Sequence, residues 1–272
     1  MGGDLLFRHR YQGSSFTELL KVDYPHLDFD WSALAGLARE PLPHGTTVLA
    51  VRYRDGVLVA GDRLATAGNA VASRDVQKVF PADRHSLIAI AGAAGPAIEM
   101  ARLMSIELEH YEKIEGEALE LEGKANKLSQ MIRQNLPAAM QGLVVVPIFA
   151  GYDTRRRRGR IWKYDITGGR YEEADFDSTG SGSVYARESL KKSFREGMDR
   201  DEALRAAMQA LLDAADEDRA TGGVDLLRRI YPLVQICTAE GIEEIPDERL
   251  DALYRELVDE QARARSGGGA GS

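Results

Sequence analysis

The chain has 272 residues, 44% of them hydrophobic, enough for a large buried core with an extension attached. A formal net charge of −8 disfavours general nucleic-acid binding, and no uninterrupted apolar run is long enough to cross a bilayer. The single cysteine forbids an internal disulfide, and His9, His26, His44, His85 and His110 show no ligand spacing, so neither a metal nor a cofactor is expected. The start, Met1 to Phe7, lacks the basic flank and long apolar segment of a secretory signal, and with the cysteine usage this points to a reducing cytoplasm.

Residues 1–45 read as two short amphipathic pieces. Ser15-Phe16-Thr17-Glu18 is a capping-box pattern that places Phe16, Leu19 and Leu20 on one helix face. Asp30 caps a second piece of a turn or two, in which Trp31, Leu34 and either Leu37 or Ala38 form a stripe. Tyr24-Pro25 interrupts the two, and Pro41-Leu42-Pro43 forbids helix just before Gly45. Such stripes need a larger surface to lie on, so the segment reads either as a loose extension or as a pro-segment docked on its own or a neighbouring subunit.

From Thr46 to Gly92 the pattern predicts strands and turns at 46–53, 57–62, 70–73, 77–80 and 86–91, with Asp55-Gly56 turning the first hairpin. Two helices are expected next. One runs over about 96–111 with Met100, Met104, Leu108 and Tyr111 on one face. The other runs over about 119–140 with Leu121, Ala125, Leu128 and Ile132 on one face. Strands return at 143–152, 159–165 and 169–174, followed by helices at 183–195 and 200–217 and strands at 230–238 and 241–245. A last helix from Pro246 to about 263 precedes a Gly/Ser tail at 266–272, which is expected to be disordered. Composition and periodicity thus give an α+β protein.

The chemistry centres on Gly45-Thr46-Thr47. Downstream stand Gly61-Asp62-Arg63, Arg74-Asp75-Val76-Gln77-Lys78-Val79 and Ala91-Gly92-Ala93-Ala94-Gly95. Taken singly, these are a strand start, an acid at a strand end, a surface lysine and a turn glycine. Together they resemble the beta subunits of the proteasome, members of the N-terminal-nucleophile hydrolases. The segment Asp218-Arg219-Ala220-Thr221-Gly222-Gly223 and Gly151-Tyr152-Asp153 look most like the actinobacterial type. The likeness covers Thr46 to about Ile245.

That resemblance implies a four-layer αββα sandwich. It also implies a chain cut between Gly45 and Thr46, with 1–45 a propeptide and 46–265 the catalytic domain. Freed Thr46 would be the nucleophile, and its own α-amine, with a reference pKa of about 7.7–8.0, the general base. Asp62, Lys78 and Gly92 stand 16, 32 and 46 places after Thr46. By resemblance Lys78 is the cation beside the nucleophile, Asp62 its partner, and Gly92 N–H the oxyanion donor. Ser181, in Gly180-Ser181-Gly182-Ser183, and Asp218 with Thr221 would lie against Thr46, with Thr221 standing where the family usually has Ser. The primary substrate pocket would be lined by Ala65, Thr66, Val76, Lys78, Ile90 and Ala94, apolar enough to favour hydrophobic or aromatic side chains.

The implied partners are proteasome alpha subunits, other beta subunits in stacked rings, an ATPase or other activator on the alpha rings, and unfolded or tagged protein substrates. No nucleic acid or membrane partner is expected. Two other readings share these motifs. One is a catalytically silent beta-type ring subunit, although such subunits tend to lose the Thr, the Lys or the Gly. The other is the ATP-dependent heat-shock peptidase of the same fold, which is generally shorter. Cys237 sits in buried-strand composition, Arg155 to Arg158 read as a solvated hairpin tip, and Gly180-x-Gly182 is too short for a dinucleotide motif.

Overall fold

In the computed structural model of the chain, residues 45–67 and 70–267 are described. The pieces expected around Phe16 and Trp31, and residues 268–272, lie outside them.

Strand β1 (Thr47–Tyr53) turns at Arg54-Asp55 into β2 (Gly56–Gly61). A small hairpin of β3 (Ala65–Ala67) and β4 (Ala70–Ser73) follows, then β5 (Val79–Asp83) and β6 (Ser86–Gly92). Helices α1 (Ala94–Glu115), α2 (Leu121–Gln134) and the short α3 (Leu136–Ala139) lead to β7 (Val145–Asp153), β8 (Arg158–Tyr164), β9 (Arg170–Glu173) and β10 (Phe176–Gly180). Then come α4 (Ser183–Ser193), α5 (Arg200–Glu217), β11 (Leu233–Thr238), β12 (Gly241–Glu244) and α6 (Asp247–Gly267). One antiparallel sheet has the order β10-β1-β2-β11-β12 and the other β5-β6-β7-β8-β9.

The layering follows from side-chain alternation. Along β1, Val48 and Ala50 enter an apolar layer shared with Leu87, Ala89 and Ala91 of β6 and Ile148 and Ala150 of β7, so the sheets pack face to face. Leu49, Val51 and Tyr53 point the other way, onto Ala186 and Leu190 of α4, Ala207 and Leu211 of α5 and Leu253 of α6. On the second sheet, Ile88, Ile90 and Phe149 meet Met100, Met104 and Leu108 of α1 and Leu121, Leu128 and Ile132 of α2. The result is helices, sheet, sheet, helices, an αββα sandwich. Both faces of the central strands are covered, which is why Val48-Leu49-Ala50-Val51 is apolar without interruption. Each Val or Leu side chain so buried contributes about 1.5–3 kcal/mol. Cys237 lies in the layer between the sheets, where burial pushes its thiol up to about 12.

Several elements differ from expectation. The helix expected over 119–140 stops at Gln134 and resumes as α3, because Pro137 has no N–H to give the carbonyl four residues back. Tyr111 is not in the core stripe of α1; it is 38% exposed, beside Ile114 and Leu119 in an open groove. Strand β10 was not foreseen. It pairs along β1 from Thr47↔Gly180 to Val51↔Phe176 as the edge of its sheet. The arginine run forms the β7–β8 turn, and Arg155 pairs with Glu120, Arg156 with Glu122 and Asp153, and Arg158 with Glu172. Helix α5 begins with a capping box: Asp199 accepts from the Glu202 N–H at 3.0 Å and Glu202 accepts from the Asp199 N–H at 2.9 Å. Among the described residues no helix is long and apolar enough to cross a membrane.

Candidate active site

Antiparallel pairing collects several chain ends at one edge of the sandwich. Thr46 enters β1 there. Gly61-Asp62 leave β2 beside it, since Val48 pairs with Gly61, and Gly180-Ser181 leave β10 on the other flank. Lys78 enters β5 and Gly92 leaves β6, with the Ile90 N–H donating to Lys78 O at 2.9 Å. Residues separated by up to 175 positions, Thr46 to Thr221, are thereby brought together.

At the centre Lys78 Nζ donates to Asp62 Oδ1 at 2.7 Å, to Leu64 O at 2.6 Å and to Gly45 O at 3.2 Å. Its three N–H donors thus meet three acceptors. The Asp62 carboxylate is equally occupied. Oδ1 also accepts the Thr47 N–H at 2.7 Å, and Oδ2 accepts the N–H groups of Leu64 at 2.9 Å and Gly222 at 2.8 Å. Both side chains are buried, Lys78 at 4% and Asp62 at 0% exposure. Burial pulls the Lys78 ammonium below its ordinary range, and the Asp62 charge opposes that pull.

The Gly45–Thr46 peptide lies directly under this cation. Thr46 Oγ1 donates to Gly45 O at 2.5 Å, the carbonyl oxygen that Lys78 also contacts. Gly45 sits where nothing larger fits: an added Cβ would stand 2.5 Å from Ala220 O and 2.7 Å from Thr66 Oγ1. Thr66 Oγ1 thus stands beside Gly45, and Thr66 is not among the residues that line the cleft around Ile90.

On the other side of Thr46, its N–H donates to Ser181 Oγ at 3.4 Å, and the Ser181 N–H returns a bond to Thr46 O at 2.8 Å. Ser181 Oγ donates to Asp218 Oδ2 at 2.5 Å, and Thr221 Oγ1 donates to the same oxygen at 2.6 Å. Partial burial raises the Asp218 carboxyl. The Ser181 and Thr221 hydroxyls outweigh this, with the Ala220 N–H and the Lys78 charge, and hold it below the usual carboxylate range. Thr221 does not reach Thr46. Its hydroxyl lies 2.5 Å from that of Thr47, a residue that sequence reasoning passed over. The only signal was a second threonine behind the first.

Ala65, Val76, Ile90 and Ala94 line a cleft that also touches Gly45, Thr46 and Lys78, joined by Gln77, Ala97 and Ile98, which sequence reasoning did not name. No acid stands in this lining. Gly92 is in its wall with φ +112°, a left-handed conformation in which a Cβ would collide with Val144 O. A hydroxyl, a shielded cation on the adjacent carbonyl and an apolar cleft form an arrangement suited to acyl transfer from an amide.

Comparison with known proteins agrees with the geometry. The family described as "Proteasome subunit" matches residues 42–227. The chain belongs to the proteasome subunit family. It is 53% identical over 225 residues to "Proteasome subunit beta" of Streptomyces griseus, covering 83% of this chain and 80% of that protein. It is 50% identical over 261 residues to the protein of the same description from Acidothermus cellulolyticus, covering 94% and 89%. It is also 56% identical over 224 residues to that from Acidimicrobium ferrooxidans, covering 82% of each. Its activity is that of a threonine-type endopeptidase subunit of the core proteasome.

Proposed function

We propose that this proteasome subunit is made as a precursor that cuts its own chain between Gly45 and Thr46, and then hydrolyses peptide bonds with the freed Thr46. In the precursor the Thr46 nitrogen is an amide and cannot serve as base. Thr46 Oγ1 attacks the Gly45 carbonyl carbon, and the charge that develops on Gly45 O is met by Lys78 Nζ. The C–N bond breaks, and the nitrogen takes up the proton that the hydroxyl gave. Water then hydrolyses the resulting ester, leaving a Gly45 carboxylate and a Thr46 with free hydroxyl and amine. In the mature subunit the amine takes the Oγ1 proton, the Gly92 N–H receives the substrate oxyanion, and the amine passes the proton to the leaving group. Water then releases the acyl group. Asp62 keeps Lys78 charged, while Ser181, Asp218 and Thr221 order the amine.

The observation that carries this reading is the shared approach of Thr46 Oγ1 and Lys78 Nζ to Gly45 O, at 2.5 and 3.2 Å. The apolar lining of Ala65, Val76, Ile90 and Ala94 supports cleavage after hydrophobic or aromatic side chains. A silent ring subunit has no use for a fully bonded Lys78–Asp62 pair beneath a threonine. In this reading the subunit works in the cytoplasm inside rings of its own kind stacked with alpha subunits. An ATPase or another activator on those rings delivers unfolded or tagged proteins. The test is an intact-mass and fluorogenic-peptide assay on particles coexpressed with alpha subunits. Wild type should show the 227 residues that remain of 272 once the first 45 are gone. Thr46→Ala should keep all 272 and hydrolyse nothing. Loss of the segment at Gly45 in Thr46→Ala, in purified particles, would overturn the proposal.

A further inference from the structure

Thr47 has a fully buried side chain and touches both halves of the site. Its backbone N–H goes to Asp62 Oδ1 at 2.7 Å, and its carbonyl accepts the Asp62 N–H at 3.0 Å. Its hydroxyl oxygen accepts the Gly182 N–H at 3.0 Å and lies 2.5 Å from Thr221 Oγ1. Proton counting fixes the direction of that last bond. A backbone N–H only donates, a carboxylate only accepts, and a hydroxyl has one proton to give. Thr221 gives its proton to Asp218 Oδ2 at 2.6 Å, so Thr47 must donate to Thr221. The chain therefore runs one way: Gly182 N–H to Thr47, Thr47 to Thr221, Thr221 to Asp218. It is tightly packed, since a Cβ on Gly182 would collide with both threonine hydroxyls.

The same counting settles Ser181. Its proton goes to Asp218 Oδ2 at 2.5 Å rather than to Thr46 O at 3.2 Å, because a short bond to a carboxylate is the stronger. Its lone pairs are then left for the Thr46 nitrogen. Ser181 is held at two points of the main chain, by its own N–H on Thr46 O and by the next N–H, that of Gly182, on Thr47 Oγ1.

We propose that Thr47 is a positioning residue for the nucleophile: its hydroxyl pins the Ser181-Gly182 elbow to the strand that carries Thr46 and fixes Ser181 Oγ as an acceptor facing the Thr46 nitrogen. The proposal rests on the reading of Thr46 as nucleophile and base. With one N–H of the amine held by Ser181, its lone pair is free to turn toward Oγ1. Linked hydroxyls ending on a carboxylate also polarise one another, which stiffens the arrangement.

Thr47→Val keeps the shape and the β-branch and removes only the hydroxyl. In particles counted for mature sites by intact mass, kcat per site should fall on the order of tenfold to a hundredfold, the cost of a mispositioned group. KM for a small peptide should change little, because the walls at Ala65, Val76 and Ile90 are untouched. Among the described residues the ionisable groups around the Thr46 nitrogen are Lys78 at the entry of β5, Asp62 beyond β2 and Asp218 beyond α5, and the substitution removes no direct bond to any of them. An acceptor aimed at the amine favours its protonated form, so loosening Ser181 should move the acid limb of kcat/KM to lower pH. Thr47→Ser should restore both the rate and the limb. Thr221→Val breaks the chain from the other end and should give the same two changes, with the double variant less than additive.

An unaltered kcat per site, an unmoved acid limb, or a Thr47→Ser as impaired as Thr47→Val would overturn the proposal. Should Thr47→Val not assemble, Thr221→Val with an unmoved limb overturns it equally. Activity in Thr46→Ala particles would instead strike the underlying reading of the nucleophile, so the two failures are distinguishable.

Discussion

Replacing Lys78 by Met keeps the length of the side chain and deletes its charge, and the structure sets how much should be lost. Lys78 Nζ stands 3.2 Å from Gly45 O, where charge would develop in the proposed self-cleavage. At an effective dielectric of about 20, a unit charge at that distance is worth roughly 5 kcal/mol. That is an upper figure, because the same ammonium is shared with Asp62 Oδ1 and Leu64 O. Removing a single oxyanion donor costs about 2.7–4 kcal/mol, or about 10²–10³ in rate, and this is the loss expected for Lys78→Met. The fold should survive. Stripping one member from a buried ion pair costs about 3–5 kcal/mol when the other charge is left bare, but Asp62 retains the N–H groups of Thr47, Leu64 and Gly222. The assay is a time course of intact mass after mixing with alpha subunits, following the change from 272 to 227 residues. Particles of normal size in which Lys78→Met loses its first 45 residues at the wild-type rate would refute the reasoning.

Gly45→Ala should block self-cleavage. A Cβ there meets Ala220 O at 2.5 Å, and because that atom is main chain, Thr66→Ala should not rescue it; an intact mass that still shows processing would contradict the steric argument. Peptide libraries should show cleavage after Tyr or Leu ahead of Arg, since the cleft around Ile90 offers no acid, and faster release after Arg would place the pocket elsewhere. Asp218 carries a carboxyl lowered from 3.8 in the folded state, so its contribution to stability is complete above that value and fades as pH falls through the folded one. The difference in Tm between wild type and Asp218→Asn should therefore hold steady from about pH 5 to 8 and narrow below about pH 4. A difference that grew on acidification would have the sign wrong.

The sequence carried the strands with two apolar faces plainly, because Val48 to Val51 and Leu87 to Ala91 leave no polar residue to mislead. The α+β class followed from periodicity, but the order of layers came from resemblance alone. Strand β10 escaped because Asp177-Ser178-Thr179-Gly180 has turn-like composition. It is a strand by virtue of β1 alongside it, a long-range fact absent from local pattern. Lys78 and Asp62 were singled out by the family resemblance, at matching offsets from Thr46, whereas Thr47 was hidden by being an ordinary β-strand residue. What marks it is the company of Gly182 and Thr221, each more than 130 positions away. The resemblance puts Thr66 in the pocket wall, whereas in the structure the cleft lining passes from Ala65 to Val76 without it and its hydroxyl stands beside Gly45.

The position of Cys237 between the two sheets has a practical reach. The only thiol of the chain is fully covered, and its ionisation is pushed up to about 12, so thiolate-directed reagents find almost nothing to attack in the folded subunit. A second cysteine introduced at an exposed position such as Leu227, which is 88% exposed, would take up a maleimide dye alone, with the native residue left in place. Fluorophores attached there would let energy transfer between subunits report ring assembly in real time, on particles whose catalytic edge has not been touched.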